Sequence, residues 1–278
     1  MKIIQPNAIE LKQQPGFEGM LKHIEVCGRT CYKSEDRITE DSCHKFVDML
    51  RKHAHGAMLE HGTVYLTIPD ADIFEANDKC RELQIVGGMW DRLASIVRTP
   101  LPYSKTSFTP GFVHITTNYR VIVENDLEWL VEKYSCEPTE HHYKRRTFKI
   151  TCNRGVSHEF VRHRVFSFAQ ESQRYVNYSK DKFGKEIKVI KPTYFNDEFS
   201  IKYIHWKFAC ENAEKSYFVL LSNGATPQEA REVLPNSCAT ELIMTGFESD
   251  WEHFFDLRCA RDAHPQAQEI ANMIKEQF

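Results

Sequence analysis

Apolar residues recur along the first part of the chain at two spacings. In TEDSCHKFVDMLRKH (39–53), Phe46, Met49 and Leu50 fall at i, i+3 and i+4, the stripe of an amphipathic helix. In HGAMLEHGTVYLTI, Val64, Leu66 and Ile68 alternate with Tyr65 and Thr67, which predicts a strand. From Asp70 to about Arg145 the pattern is mixed. It predicts a helix around ANDKCRELQIV, a turn-rich TPLPYSKTSFTPGF, a strand VHITTNYRVIVE and an acidic helix DLEWLVEKY. No low-complexity linker or repeat interrupts the chain, so 1–278 reads as one domain with about 70–145 inserted in it.

The second half is more sharply punctuated. TFKITC (147–152) places Phe148, Ile150 and Cys152 on one face of a strand, and Asn153, Arg154 and Gly155 break it. Ser157 then reads as the N-cap of a short helix, SHEFVRHR. Consecutive helical residues point about 100° apart, so Arg162, His163 and Arg164 fan around the helix end or are aimed by a loop. TPQEAREVLP predicts a capped helix, with Thr226 as N-cap, Pro227 first and Glu229 closing a capping box. SDWEHFFDLR predicts another box, Ser249 with Glu252, and a stripe of Trp251, Phe254 and Phe255 that continues onto Arg258. An arginine on an apolar stripe either snorkels outward or meets a buried anion. A last helix begins near Pro265 and carries Ile270, Met273 and Ile274 as core.

Composition narrows the function classes. With 41% hydrophobic and 27% charged residues the 278-residue chain has a soluble globular profile. A net charge of -3 speaks against a general nucleic-acid binder, whose domain is usually strongly basic, so an anion would be held by a local arginine cluster. Nine cysteines without a CxxC pair suggest reduced thiols and a cytoplasmic location. The N-terminus shows no apolar signal region, and no apolar run approaches the ~20 residues of a membrane span.

Neither GxGxxG nor GxxxxGK[ST] occurs, so side chains rather than a glycine-rich turn would hold any phosphates. His53, His55 and His61, and the pair His141–His142, lack metal-motif spacing and read as a helix end and a hydrogen-bonding loop; no metal is expected. Cys259 beside Arg258 could form an activated thiolate, but a small buried side chain is the simpler reading. The segment RHRVFSFAQESQRY (162–175), dense in cations and hydrogen-bonding groups, reads as a solvated face or as a polyanion site.

Spacing separates those two readings. Arg162-His163-Arg164, seven residues, then Ser172 resembles the RHR-x7-S signature of the flavin-dependent thymidylate synthases, and Gln173-Arg174-Tyr175 extends it. HGAMLEH, AREVLP, DWEHFFDLR and AHPQAQEI resemble further segments of that family, in family order, so that matches occupy 29–68 and 147–278. The resemblance implies an α+β fold, a mixed or antiparallel sheet packed with helices, in a homotetramer with active sites at subunit interfaces. It implies reductive methylation of dUMP to dTMP, with 5,10-methylenetetrahydrofolate as carbon donor, FAD as hydride carrier and NADPH as reductant.

Carried over by position, the resemblance gives dUMP to Glu159, Phe160, Val161, Arg162, Gln170, Glu171, Ser172, Gln173, Arg174, Arg231 and Arg258. It gives FAD to His55, Ala57, Arg162, His163, Arg164, Val165, Gln170, Phe247, Glu248, Ser249 and His253. Arg258 takes the catalytic role. Its pKa is too high for a base, but it can stabilise negative charge developing on the uracil ring. The chain departs from the family pattern at Gln170, often Glu, and at Phe247-Glu248-Ser249, often Asn-x-Arg; about 70–145 has no counterpart in the shortest members. A competing reading is an RNA- or nucleotide-binding module in which Phe166, Phe168 and Tyr175 stack on bases.

Overall fold

Alternating apolar positions become strands in three sheets of the computed structural model, which describes residues 1–84, 87–96 and 99–278. In chain order, β1 (Lys2–Ile4) and β2 (Asn7–Glu10) precede α1 (Gly16–Tyr32), α2 (Ser42–Lys52) and α3 (Gly56–Leu59). Then come β3 (Thr63–Pro69), α4 (Asp70–Leu83), α5 (Gly88–Ser95), β4 (Lys105–Thr109), β5 (Phe112–Asn118), α6 (Tyr119–Glu124) and α7 (Glu128–Tyr134). The rest comprises β6 (Arg145–Asn153), α8 (Arg154–Phe160), β7 (Ser167–Gln170), β8 (Lys188–Ile190), α9 (Ile201–Ser222) and α10 (Pro227–Ala230). It closes with β9 (Ala239–Phe247), α11 (Glu248–Arg258) and α12 (Pro265–Lys275). The class is α+β. Among the described residues no helix is long and apolar enough to cross a membrane.

Two units are distinguished by their contacts. The first comprises Met1–Leu11, Val26–Ile38 and Thr147–Phe278, the second Lys12–Glu25 and Thr39–Arg146. In the second unit β3 and β4 flank β5, both antiparallel, with Val64 opposite Thr117 and Leu66 opposite Ile115. Leu66, Ile68 and Ile115 bury their side chains against Leu50 and Ile24. Each such burial contributes about 1.5–3 kcal/mol.

In the first unit the order is β2–β6–β9–β7, with antiparallel β2–β6 and β7–β9 pairs. Phe148, Ile150 and Cys152 on β6 are fully buried, packed with Trp251 and Phe254 of α11 and Ile270 and Ile274 of α12. A parallel β1–β8 pair shares a second cluster with α9 and α10, built on Val189, Cys210, Tyr217 and Ala230. α9 buries Tyr203, Cys210 and Tyr217, one every seven residues, while Ile201, Ile204 and Phe208 are exposed.

Several elements differ from the sequence expectation. VHITTNYRVIVE is a strand only to Asn118; there the Asn118 side chain accepts the Val121 N–H and starts α6. The turn-rich stretch contains β4, whose polar KTSFT is recruited by pairing with β5. The helix around ANDKCRELQIV starts earlier, at Asp70, and Ile85 and Val86 lie outside the described residues. Ser157 lies inside α8, and the N-cap is Asn153, whose Oδ1 accepts the Val156 N–H at 2.8 Å. The helix ends at Phe160, before Arg162. At α11 Asp250, not Glu252, closes the first turn by accepting the Phe247 N–H at 2.9 Å. The Thr226–Glu229 capping box forms as read.

Candidate functional site

Asn153 fixes how the arginine-rich segment is launched. Besides capping α8, its Nδ2 donates to Gln266 Oε1 of α12 at 3.0 Å, between two buried side chains. α8 then runs for 7 residues and stops, leaving 161–165 as a turn between two buried anchors, Phe160 and Phe166. Phe166 presses on β9 at Gly246, where a Cβ would meet its ring carbon at 2.6 Å, so only glycine fits that strand position. Held this way, the turn exposes Val161, Arg162, Arg164 and Val165 and turns His163 inward, 8% exposed.

Arg258, at the end of α11, reaches the same turn. Its apolar stripe docks as expected: Trp251, Phe254 and Phe255 are buried, and the next position carries the guanidinium onto a carboxylate. Arg258 Nη1 donates to Glu159 Oε2 at 2.9 Å, Nη2 to the Glu159 carbonyl at 2.6 Å, and Nε to His163 Nε2 at 2.8 Å. Arg162 Nη1 also donates to Glu159 Oε2, at 3.3 Å. Burial, then the charges of Arg258 and His253, lower the His163 pKa to about 4. The ring is therefore neutral at physiological pH, as an acceptor from arginine must be.

The next stretch is sorted by strand alternation. Gln170 Nε2 donates to Ser157 Oγ at 2.9 Å and, at 3.4 Å, to Thr240 Oγ1. Glu171 points the other way: it is 7% exposed, accepts the Tyr178 hydroxyl at 2.8 Å and lies 3.7 Å from Lys33 Nζ. Lys33 is closer to Glu241, at 2.6 Å, and Lys149 lies 2.7 Å from the same carboxylate oxygen. Burial pushes the Glu171 carboxyl up. Burial also acts to raise Glu241, but Lys33 and Lys149 outweigh it and hold that carboxyl below its usual range. Lys33, Glu171, Tyr178, Thr240 and Glu241 line a cavity of about 190 Å³. Ser172 is tied through its N–H to the Cys31 carbonyl at 3.0 Å, and Arg174 and Tyr175 beyond it are exposed. Gln173 Nε2 is buried with no hydrogen-bond partner among the described residues.

The other residues named from sequence are placed less centrally. Phe160 and Phe247 are both buried, at 0% and 9% exposure. Glu248, Ser249 and His253 lie on α11, the last two exposed. Arg231 follows α10 and pairs with Glu232 at 3.4 Å. His55 and Ala57, both exposed, belong to the second unit, at the start of α3. Burial raises the Cys259 thiol, and nearby Lys275 only partly opposes it, which removes the activated-thiolate reading. Sequence reasoning missed Ser157, Thr240, Lys33 and Tyr178 as neighbours of 170–171. Strand alternation alone would have set Glu171 on the face opposite Gln170.

Two further groups of polar side chains lie in the second unit. His142 Nδ1 accepts the Thr139 N–H at 3.1 Å, so its Nε2 donates to the Leu66 carbonyl at 3.1 Å. Its ring centroid is 5.2 Å from that of buried His114. Glu18, Cys43 and His44 bring metal-type donors together, but they satisfy one another: the thiol donates to Glu18 Oε1 at 3.3 Å and His44 Nε2 lies 2.7 Å from Oε2.

Comparison with known proteins bears on the segments just described. Flavin-dependent thymidylate synthases from Geobacter sulfurreducens (32% identical over 119 residues), Pyrococcus furiosus (28% over 165) and Mycobacterium tuberculosis (30% over 141) match 43%, 58% and 45% of this chain. The chain spans 49%, 66% and 54% of those relatives' own lengths. A solved UMP/dUMP methylase, PolB from Streptomyces cacaoi bound with 5-Br dUMP, aligns at a TM-score of 0.44 and 16% identity over 100% of this chain and 91% of that one. A family model described as thymidylate synthase complementing protein matches residues 125–278, more than half of the sequence and all of the Glu159, His163 and Arg258 cluster. By that match the chain belongs to the thymidylate synthase complementing protein family.

Proposed function

We propose that this chain is a flavin-dependent thymidylate synthase that converts dUMP to dTMP. The reaction consumes methylenetetrahydrofolate and NADPH and yields tetrahydrofolate and NADP⁺. One observation carries the reading: Arg162 and Arg258, from segments about a hundred residues apart, meet at Glu159, and Arg258 also donates to His163. Relatives that match this region carry that enzyme name.

The residues present fit the ligands chemically. Gln173 Nε2 is an orphaned buried donor that a polar ligand atom would satisfy. Ser172 and exposed Arg174 supply a hydroxyl and a bidentate cation for the dUMP phosphate, and Arg231 a further cation. Exposed Arg162 and Arg164 suit the FAD pyrophosphate, and Ser249, His253 and the backbone of 247–248 its rings. Bound FAD would supply hydride transfer. Arg258 is held against Glu159 and His163, and its remaining N–H donors are available to stabilise negative charge on the pyrimidine. The enzyme acts as a cytoplasmic homotetramer, a single domain in which about 70–145 is an insertion.

Incubation with dUMP tritiated at C5, FAD, NADPH and methylenetetrahydrofolate tests this. Tritium release to water with equal dTMP formation is the expected result. Absence of both, in protein that also takes up no FAD, would defeat the proposal.

A further inference from the structure

A guanidinium on a long flexible stem stabilises a developing charge only if its plane is already set when substrate arrives. Otherwise ordering the side chain opposes binding and the donors miss their target. Arg258 ends a helix, where nothing in its own element fixes its outer torsions. Two residues nearly a hundred positions earlier fix them instead. The Glu159 carboxylate and carbonyl take one N–H each from Nη1 and Nη2, and His163 takes the Nε–H. Arginine has five such donors, so two remain.

His163 is itself held. Its ring is 8% exposed, with the Phe254 ring centroid at 5.0 Å, Phe166 at 6.3 Å and His253 at 6.4 Å. Because guanidinium cannot accept a hydrogen bond, Nε2 carries a lone pair and the proton sits on Nδ1. Nδ1–H is then the one ring donor left for a cofactor.

We propose that Glu159 and His163 are positioning residues for Arg258: they take three of its five N–H donors and aim the other two at the pyrimidine. The inference rests on the reading of the chain as a dUMP-binding enzyme. It changes the part the family resemblance gives to each of the two residues. Glu159 works on the arginine rather than on dUMP, and His163 approaches flavin only through Nδ1. The charged and titratable groups facing His163 are Arg258, which donates to its Nε2, and His253, so its protonation would set an N–H against the Arg258 N–H.

Two measurements decide the matter, one independent of turnover. In protein with ¹⁵N-labelled histidine, His163 is expected as the Nδ1–H tautomer with an unprotonated Nε2, titrating near pH 4. In Arg258→Ala the midpoint is expected to rise by about one unit as the neighbouring charge is removed. An Nε2–H tautomer, or a midpoint unmoved in that variant, overturns the contact even if the chain makes no dTMP. In the kinetic arm, His163→Ala is expected to lower kcat about 10- to 100-fold at nearly constant KM for dUMP, as misaimed groups do. His163→Gln, whose amide oxygen can accept from Arg258, is expected to recover part of the loss when both variants are assayed fully loaded with FAD and below their own unfolding midpoints. Wild-type kcat in His163→Ala, or equal losses in the Ala and Gln variants, would refute the positioning role. Failure of the wild-type protein to form dTMP would count against the proposed function alone.

Discussion

Gln170 donates its amide N–H to Ser157 Oγ at 2.9 Å, and Ser157 has already given its single proton to the Arg154 carbonyl, also at 2.9 Å. The hydroxyl therefore presents lone pairs to position 170, where an amide can answer and a carboxylate cannot. Gln170→Glu is expected to destabilise the protein by about 1–3 kcal/mol at pH 7.5, the cost of a part-buried acceptor without a donor. A protonated carboxyl restores the donor, so the difference in Tm from wild type should shrink toward pH 5. Equal melting of the two proteins at pH 7.5 would refute the argument.

Lys33 divides its charge unequally between two carboxylates, 2.6 Å from Glu241 and 3.7 Å from Glu171. Glu241, held low, contributes stability that is present above the ordinary carboxylate range and is lost as pH falls through its folded pKa. Glu171, pushed up, behaves in the opposite sense: its contribution is complete at acid pH and lost as pH rises through its folded pKa. Glu171→Gln keeps an acceptor for Tyr178 and removes a buried negative charge. Chemical denaturation at pH 7.5 should find it as stable as wild type or more so, while Lys33→Met should lose about 1–3 kcal/mol. A large loss in Glu171→Gln would show that its carboxylate is needed in charged form.

His142 is locked as a neutral ring by a donor on one side and an acceptor on the other. Burial lowers its pKa, as it does that of His114. The stability tied to these rings is present above the unfolded value of about 6.5 and lost as pH falls through the lowered folded values. The Tm should fall between pH 7 and pH 5. In His142→Gln the midpoint should start lower but decline less steeply, and parallel profiles for the two proteins would exclude the lock.

On the proposed reading, Arg258→Ala removes the guanidinium that stabilises charge on the pyrimidine. Loss of a donor preorganised for developing charge typically costs about 2.7–4 kcal/mol, so dTMP formation should drop at least about 100-fold. FAD uptake, followed by flavin absorbance, should persist. Near-normal turnover would remove Arg258 from the mechanism.

Local signals were legible in the sequence where chemistry and structure are both local. The Phe148, Ile150 and Cys152 alternation became a buried strand face, and the Thr226–Glu229 box closed as spaced. Where two residues offer the same cap chemistry, as Asn153 and Ser157 do, tertiary partners chose: Asn153 is bonded on both sides of its amide, to Val156 and Gln266. β4 was hidden because its strand character comes from pairing with β5, not from its own hydrophobicity. At the site, the arginine on the apolar stripe was visible, and so were the two alternatives for it. That its anion would be Glu159, 99 positions away, leaves no trace in any periodicity.

The Asn153–Gln266 pair carries one more consequence. Asn153 holds the start of α8 and Gln266 belongs to the first turn of α12, so neither helix end can fray without exposing an amide of the other. In native-state hydrogen exchange the capped Val156 amide should accordingly exchange with the first protected amides of α12, as one opening event. Breathing of the turn that carries His163 would then be governed by a helix that supplies none of its side chains.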